Sequence, residues 1–255
     1  MAELDYKMLV DLAALAGTIM LENGAEIYRV EDTIKYILSV SRLETKQAYV
    51  LSTGLMISLD DPSIDAITVI RRVESRGTHL NAITMVNDIS RNFYLGNMSL
   101  EAAYDEIRNM KVSQYPGWIK DIALIFLSAF FTGMFGGNAV DMVLAGLLGA
   151  LLAVWTWLAR GVRMNIVIRD FIGSLLMSAG AAGLLRIPGI TGHLNLIIIG
   201  SIMALVPGAA ITNAIRDTLH GDYSAGGAKI LEAFVKATMI AVGVYCGLFI
   251  MGGRI

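Results

Sequence analysis

Polar and apolar positions change texture twice along this chain. Over residues 5–22, Leu9, Leu12, Ala13, Ala16, Ile19 and Met20 recur at three- and four-residue spacing, with Lys7, Asp11, Thr18 and Glu22 between them. That is the stripe of an amphipathic helix, and Asn23-Gly24 is the stop expected at its end. From about Glu26 a second stripe follows in Ile27, Val30, Ile34, Ile37 and Leu38, with Glu31 and Lys35 as an exposed pair one turn apart. The period then shortens: "QAYVLSTGLMISL" and "AITVIRRV" are rich in β-branched residues and are separated by the turn-forming Asp60-Asp61-Pro62-Ser63. A small antiparallel sheet is predicted there. Helices at about 79–94 and 99–111 complete the series, the last with Ser99 as N-cap and Leu100, Ala103, Tyr104 and Ile107 as its apolar stripe. Residues 1–113 thus read as one α+β domain, long enough to bury a core of its own.

Beyond "SQYPGWIKD", where Pro116-Gly117 breaks helix and Tyr115 and Trp118 suit a membrane interface, periodicity gives way to long apolar runs. Five are long enough to cross about 30 Å of hydrocarbon: 119–136, 139–159, 166–185, 193–212 and 228–251. The expected fold is an α-helical integral membrane protein with about five transmembrane helices in 114–255, preceded by a small cytosolic α+β domain in 1–113. Small residues recur on the spans, including Gly146 and Gly149, Gly180 and Gly183, and a G-x-x-x-G at Gly243 and Gly247. They mark faces for close helix or subunit packing. Five helices barely surround a pathway, and an odd-numbered unit pairs naturally with an inverted copy.

Composition supports this division. The chain is 55% hydrophobic and 16% charged, with mean hydropathy +0.62, against about one-quarter charged in soluble domains. Residues 1–113 hold 11 of the 20 Lys/Arg and 16 of the 22 Asp/Glu, so the net charge of −2 averages two unlike halves. Neither half has a basic block, which excludes nucleic acid as an expected partner. The opening residues carry Glu3, Asp5, Asp11 and Glu22 without a basic start, so no signal peptide is expected. One cysteine, Cys246, and three scattered histidines leave no disulfide framework and no metal spacing. No cofactor is expected. Nor is catalysis, since no nucleophile–base pair or phosphate loop is evident.

Lys/Arg placement sets the expected direction. Arg108, Lys111 and Lys120 precede the first span, Arg160, Arg163 and Arg169 follow the second, and Arg216 and Lys229 lie between the last two. The other side has Arg186 and Arg254. The amino terminus is therefore expected in the cytosol and the carboxyl terminus outside the inner membrane.

Ionisable groups in the apolar half each need a partner or a cavity. Lys120 and Asp121 are read as snorkelling at the inner end of the first span, and Asp141 as capping the start of the second. Arg169 and Asp170 fit either an interface or a cavity. Glu232 and Lys236 fit either an interfacial pair one turn apart or a proton-carrying carboxylate beside its cation. Pro207-Gly208 breaks the fourth run, and Asn213, Arg216, Asp217 and His220 then line one helical face. An interfacial amphipathic helix explains the face alone. A cytosolic mouth beside a broken helix explains both face and break, and is the preferred reading, with Gly221, Gly226 and Gly227 as loop residues before the last span. In the front domain, Glu26, Arg29 and Glu31 are read as a solvated charged face, with a docking or regulatory face as the alternative.

The pairing of "ENGAEIYRVEDTI" with "VPGAAITNAIRDTLHGDYSAGGAKILEA" resembles the threonine/serine exporter family across nearly the whole chain. By that resemblance Gly24, Glu26, Arg29 and Glu31 fall in a front signature. Pro207, Gly208, Asn213, Arg216, Asp217, Gly221, Asp222 and Gly227 fall in a second. Full-length members carry about twice as many spans, so the chain looks like one half of a split form, whose members are also associated with succinate export. The resemblance implies proton-driven export.

The expected function is thus a transporter subunit exporting a small polar metabolite, threonine or serine or a dicarboxylate such as succinate. It would work with a second small multi-span membrane subunit, in an oligomer within the bilayer. The alternative is a membrane-anchored sensor or assembly subunit whose cytosolic domain binds a ligand or partner. The expected pathway residues are Asp170, Pro207, Gly208, Asn213, Arg216, Asp217 and Glu232. Cysteine-labelling reporters near Arg163 and Ser224 should respond as cytosolic and one after Gly253 as external; an external response at Ser224 contradicts this topology.

Overall fold

The computed structural model describes residues 5–74, 77–112, 115–162 and 164–252. Arg163 and Arg254, used above to set direction, Glu3 at the amino terminus and the boundary residue Ser113 lie outside the described residues. The chain forms two compact units: Met1–Ser113 with Ala210–Ile230, and Gln114–Ala209 with Leu231–Ile255. Residues 210–230, grouped with the membrane half on texture, thus belong to the front unit. Their helix is the polar-faced one, and its buried partners are front-unit groups, as the site shows below.

In the front unit, α1 (Tyr6–Glu22) starts where the Asp5 carboxylate accepts the Met8 N–H, an N-cap. Its predicted stripe is buried except for the half-buried Ile19. Asn23 closes α1, and Gly24 turns the chain at φ +84. A side chain at Gly24 would be disfavoured twice, by that left-handed backbone and by the Gly77 carbonyl oxygen 2.7 Å from where its Cβ would stand. Helix α2 (Ile27–Ser39) buries Ile27, Val30, Ile34, Ile37 and Leu38. Three antiparallel strands follow in the order β1-β2-β3: Thr45–Leu51, Gly54–Asp61 and Ile64–Arg72. The first predicted strand segment is therefore a hairpin, turning at Ser52-Thr53 between Leu51 and Gly54, which pair across it. Leu55, Ile57 and Leu59 of β2 alternate into the core. Helices α3 (Leu80–Tyr94) and α4 (Leu100–Arg108) close the unit, with the Ser99 hydroxyl accepting the Ala102 N–H as expected.

The other unit holds α5 (Gly117–Met134), α6 (Ala139–Ala159), α7 (Ile166–Leu184) and α8 (Leu194–Ile202). Helix α9 (Gly208–Leu219) belongs to the front unit from Ala210, and α10 (Tyr223–Ile250) belongs to the second unit from Leu231. Among the described residues, α5, α6, α7 and α10 are long and apolar enough to cross a membrane. The fourth predicted span is not one helix. Nine-residue α8 ends at Ile202, residues 203–207 are non-helical, and Gly208 restarts the chain as α9. At 1.5 Å per residue, nine residues reach only about half of a ~30 Å hydrocarbon layer. Pro207 has no N–H to continue the ladder, which accounts for the interruption. Gly226 and Gly227, read as loop residues, lie inside α10, and only Gly221 is in the turn before it.

Within this second unit the G-x-x-x-G reading holds. A Cβ at Gly243 would collide with the Ser174 hydroxyl of α7, and one at Gly247 with the Ser178 hydroxyl. Backbones at such separation leave no room for a methyl group. Ser174 and Ser178 are fully buried and donate back to their own helix, to Phe171 and Ser174 carbonyls respectively, so no donor is stranded. Gly247→Ala should lower stability in detergent by about 1–3 kcal/mol through overpacking. Gly227→Ala, where a Cβ meets open space, should be neutral or slightly stabilising in the same thermal unfolding assay.

Candidate functional site

Two groups of charged residues stand out, one in each unit. In the front unit the N–H groups at the start of α2 have no partners within the helix. Glu26 sits at the N-cap but makes no side-chain capping bond. Asp217 of α9 makes it instead, its Oδ1 accepting the Ile27 N–H at 3.0 Å. A carboxylate at this position also meets the positive end of the helix dipole. Asp217 is fully buried, and its other oxygen accepts from Lys229 Nζ at 2.6 Å, with only 13% of the lysine side chain exposed.

The neighbours on α9 complete the contact. Asn213 donates its amide to the Gly24 carbonyl oxygen at 3.0 Å, and Arg216 donates to Glu26 Oε1 at 2.7 Å. Arg29 approaches the other oxygen of Glu26 at 3.6 Å. His220 lays its ring flat on Tyr28, with centroids 4.1 Å apart and planes 5° from parallel. All four residues of the polar face, Asn213, Arg216, Asp217 and His220, therefore meet the α1–α2 corner. Glu26 is 6% exposed, so the solvated charged face expected there is corrected at that residue, which meets α9; Arg29 remains exposed. Glu31 keeps its pair with Lys35 at 3.7 Å and also accepts the Val50 N–H.

Burial by itself would raise the Glu26 carboxyl. Hydrogen bonds from its own backbone N–H and from Arg216, with the charges of Arg29 and Arg216, outweigh that and hold it below 4.5. Asp222 is pushed the other way, first by burial and then by the charge of Asp217, against smaller opposing effects of His220 and Lys229.

In the second unit Asp170 of α7 is 2% exposed. Lys236 Nζ of α10 stands 3.1 Å from one of its oxygens, and Arg169 Nε 3.6 Å from the other. These three residues line a cavity of about 140 Å³ together with Trp155 and with Ala204 and Leu205 of the interrupted stretch. Trp155 donates its indole N–H to the Arg169 carbonyl oxygen at 3.1 Å. Asp170 thus lines a cavity. Pro207 is buried and Gly208 is exposed. Glu232 is exposed on α10, one turn before Lys236.

Asp141 is fully buried at the start of α6, in a reciprocal capping box with Asn138. It also accepts the backbone N–H of His193 at 2.7 Å and lies 2.8 Å from that ring's Nδ1. Asp121 is joined to Arg160 at 2.8 Å. Sequence reasoning missed the partners His193, Lys229 and Arg160 and the pairing of Lys236 with Asp170. The one signal available was the rule that a buried carboxylate needs a partner; spacing does not name it. Among the described residues no cluster of His, Cys, Asp and Glu could hold a metal.

A folded α+β unit and a helical unit with four helices long and apolar enough to cross a membrane define the class of multi-pass membrane proteins. The chain belongs to the ThrE family, described as "Putative threonine/serine exporter", whose model matches residues 11–251. It is a member of an exporter family and not an enzyme. The chain is 20% identical over 257 residues to "Probable succinate transporter subunit YjjP" of Klebsiella aerogenes, covering 98% of this chain and 96% of that protein. It is also 20% identical over 246 residues to the protein of the same name from Escherichia coli K12, covering 95% and 94%. No solved structure matches the chain.

Burial ranks the front contacts. Arg216 is half exposed, so solvent weakens its pair with Glu26 and Arg216→Ala should cost about 1 kcal/mol. Asp217→Ala strands Lys229 and uncaps α2, and should cost about 3–5 kcal/mol. Thermal unfolding at pH 7 measures both, and equal losses contradict this ranking. Because the Glu26 carboxyl lies below its ordinary value, its contribution is complete above 4.5 and is lost as pH falls through the lowered value. Glu26→Gln should therefore lower stability at pH 7 and flatten its decline below that value.

Proposed function

We propose that this chain is one membrane half of a two-component exporter of small organic acids in the inner membrane, with the front unit cytosolic. In this reading α5, α6, α7, α10 and the interrupted α8 segment make five passages, and the carboxyl terminus is external. Direction rests on the Lys/Arg distribution. The five passages rest on the apolar run from 193, with α8 crossing only in part, as interrupted helices do beside substrate sites in transporters.

The observation that carries the reading is the Asp170–Lys236–Arg169 group on its small cavity. An ionisable cluster between apolar helices is costly and belongs, by default, to a substrate or ion path. Two cations and one carboxylate leave an excess of positive charge, so a substrate carboxylate can displace Asp170 from Lys236 without stranding a cation. The volume admits only a molecule of a few heavy atoms. Residues 204 and 205 beside it are non-helical, and interrupted helices are tolerated at membrane depth around a cavity or other protein.

A dicarboxylate such as succinate is the preferred substrate over threonine or serine. The two curated relatives named for succinate transport align over nearly their full lengths. Their description as subunits supports a partner membrane protein supplying the other half, in a stable oligomer. Glu232, on the same face of α10 as Lys236, is the proposed proton carrier that links export to the proton gradient. Asn213, Arg216 and Asp217 then act at the cytosolic side as the fastening of α9, and Pro207-Gly208 as the point where the pathway helix opens.

Efflux of labelled succinate and threonine from proteoliposomes tests this. The chain with its partner subunit should export succinate in preference to threonine, and the chain alone should export neither. Lys236→Ala and Asp170→Asn should each reduce export at least tenfold at equal protein levels. Glu232→Gln should retain substrate binding but lose uphill export. Normal export by Lys236→Ala sinks the proposed site.

A further inference from the structure

A second cavity, of about 570 Å³, lies wholly within the front unit between α2 and α3. Its size falls within the range of sites for drug-sized ligands and cofactors, and is about four times the membrane-unit cavity. It is far too roomy for a four-carbon acid. Apart from Leu95, its lining divides into three kinds. Tyr28, Tyr36 and Tyr94 supply aromatic surface, and the last two meet edge to face with centroids 4.7 Å apart, closing part of the wall. Arg29 and Arg91 supply positive charge. Thr33, Asn87, Ser90 and Asp32 supply hydroxyl, amide and carboxylate groups.

Arg91 is exposed, and no carboxylate among the described residues is within 4 Å of its guanidinium. Arg29 approaches Glu26 through Nε at 3.6 Å, longer than a hydrogen bond, and half of its side chain is exposed to a second anion. Two guanidinium groups with open donors suit phosphate, which they bind in bidentate fashion. Tyrosine faces suit a planar base. Asp32 is the discriminating residue: it accepts hydrogen bonds from ribose hydroxyls, as acidic residues do in dinucleotide sites, and a simple dicarboxylate dianion offers no such donors.

We propose that the front unit binds a nucleoside phosphate in this cavity, with Arg29 and Arg91 on the phosphate, the tyrosines on the base and Asp32 on the ribose. The site stands on its own observations and does not depend on the transport reading. Two of its residues are linked to α9, one directly and one through Glu26. Tyr28 stacks on His220, and Arg29 shares Glu26 with Arg216. A phosphate that draws Arg29 away from Glu26 therefore changes the charges fastening α9, so occupancy and the α9 contact are linked.

Equilibrium binding of AMP, ADP and ATP to the full chain in detergent tests the site, with succinate and threonine as competitors. Saturable binding of at least one nucleotide is expected, weakened tenfold or more by Arg91→Ala and by Tyr94→Ala, and less by Arg91→Lys. Both residues are exposed, and unchanged thermal unfolding of the unliganded variants keeps the comparison valid. A variant that fails this control is replaced by Asp32→Asn, which should weaken ATP but not inorganic triphosphate. Binding of no nucleotide, binding indifferent to all these substitutions, or displacement by succinate or threonine at equal concentration overturns the proposal.

Discussion

The start of α2 depends on a carboxylate that arrives from 190 residues away. Without Asp217 the Ile27 N–H would be a buried donor with no acceptor, and without Lys229 the carboxylate would be a buried, unpaired anion. Helix, anion and cation satisfy one another only together. That requirement explains why residues 210–230 pack with the front unit, although the chain has by then traversed the apolar half. Asn213 on the Gly24 carbonyl, Arg216 on Glu26 and His220 on Tyr28 add weaker contacts around this one. The two sequence signatures thus meet as one piece of structure.

The same electrostatic demand organises the apolar unit. Asp141 and Asp170 are both almost inaccessible, and each has a basic residue from a distant helix or loop against it. Asp141 is otherwise saturated by backbone N–H groups, which suits a structural joint. Asp170 faces a cavity and two cations, which suits exchange with a ligand. A carboxylate whose partners are backbone donors holds geometry; one whose partners are long side chains on a void has room for them to part.

Much of this was legible in the sequence because it is local. Amphipathic stripes gave α1, α2 and α4, Ser99 and Asn23-Gly24 gave a cap and a stop, and Pro207 gave the interruption. The hairpin inside "QAYVLSTGLMISL" was hidden because Ser52-Thr53 is a weak turn signal between two β-rich runs. Polar spacing alone grouped Asn213, Arg216, Asp217 and His220 on one face but left open what that face meets. Lys229 and His193 gave no local signal, since a partner across 12 or 52 residues is chosen by tertiary packing. Glu26 looked solvated for the same reason.

The most direct test of the account is hydrogen exchange at the start of α2, read in the full chain by mass spectrometry of peptides covering residues 24–30. The cap alone is worth about 1–2 kcal/mol, so Asp217→Ala should speed exchange of the Ile27 amide at least tenfold, on top of any loss of stability shared by the whole front unit. Exchange at Ile27 that is as slow in Asp217→Ala as in the parent chain would contradict the claim that the second signature caps the first.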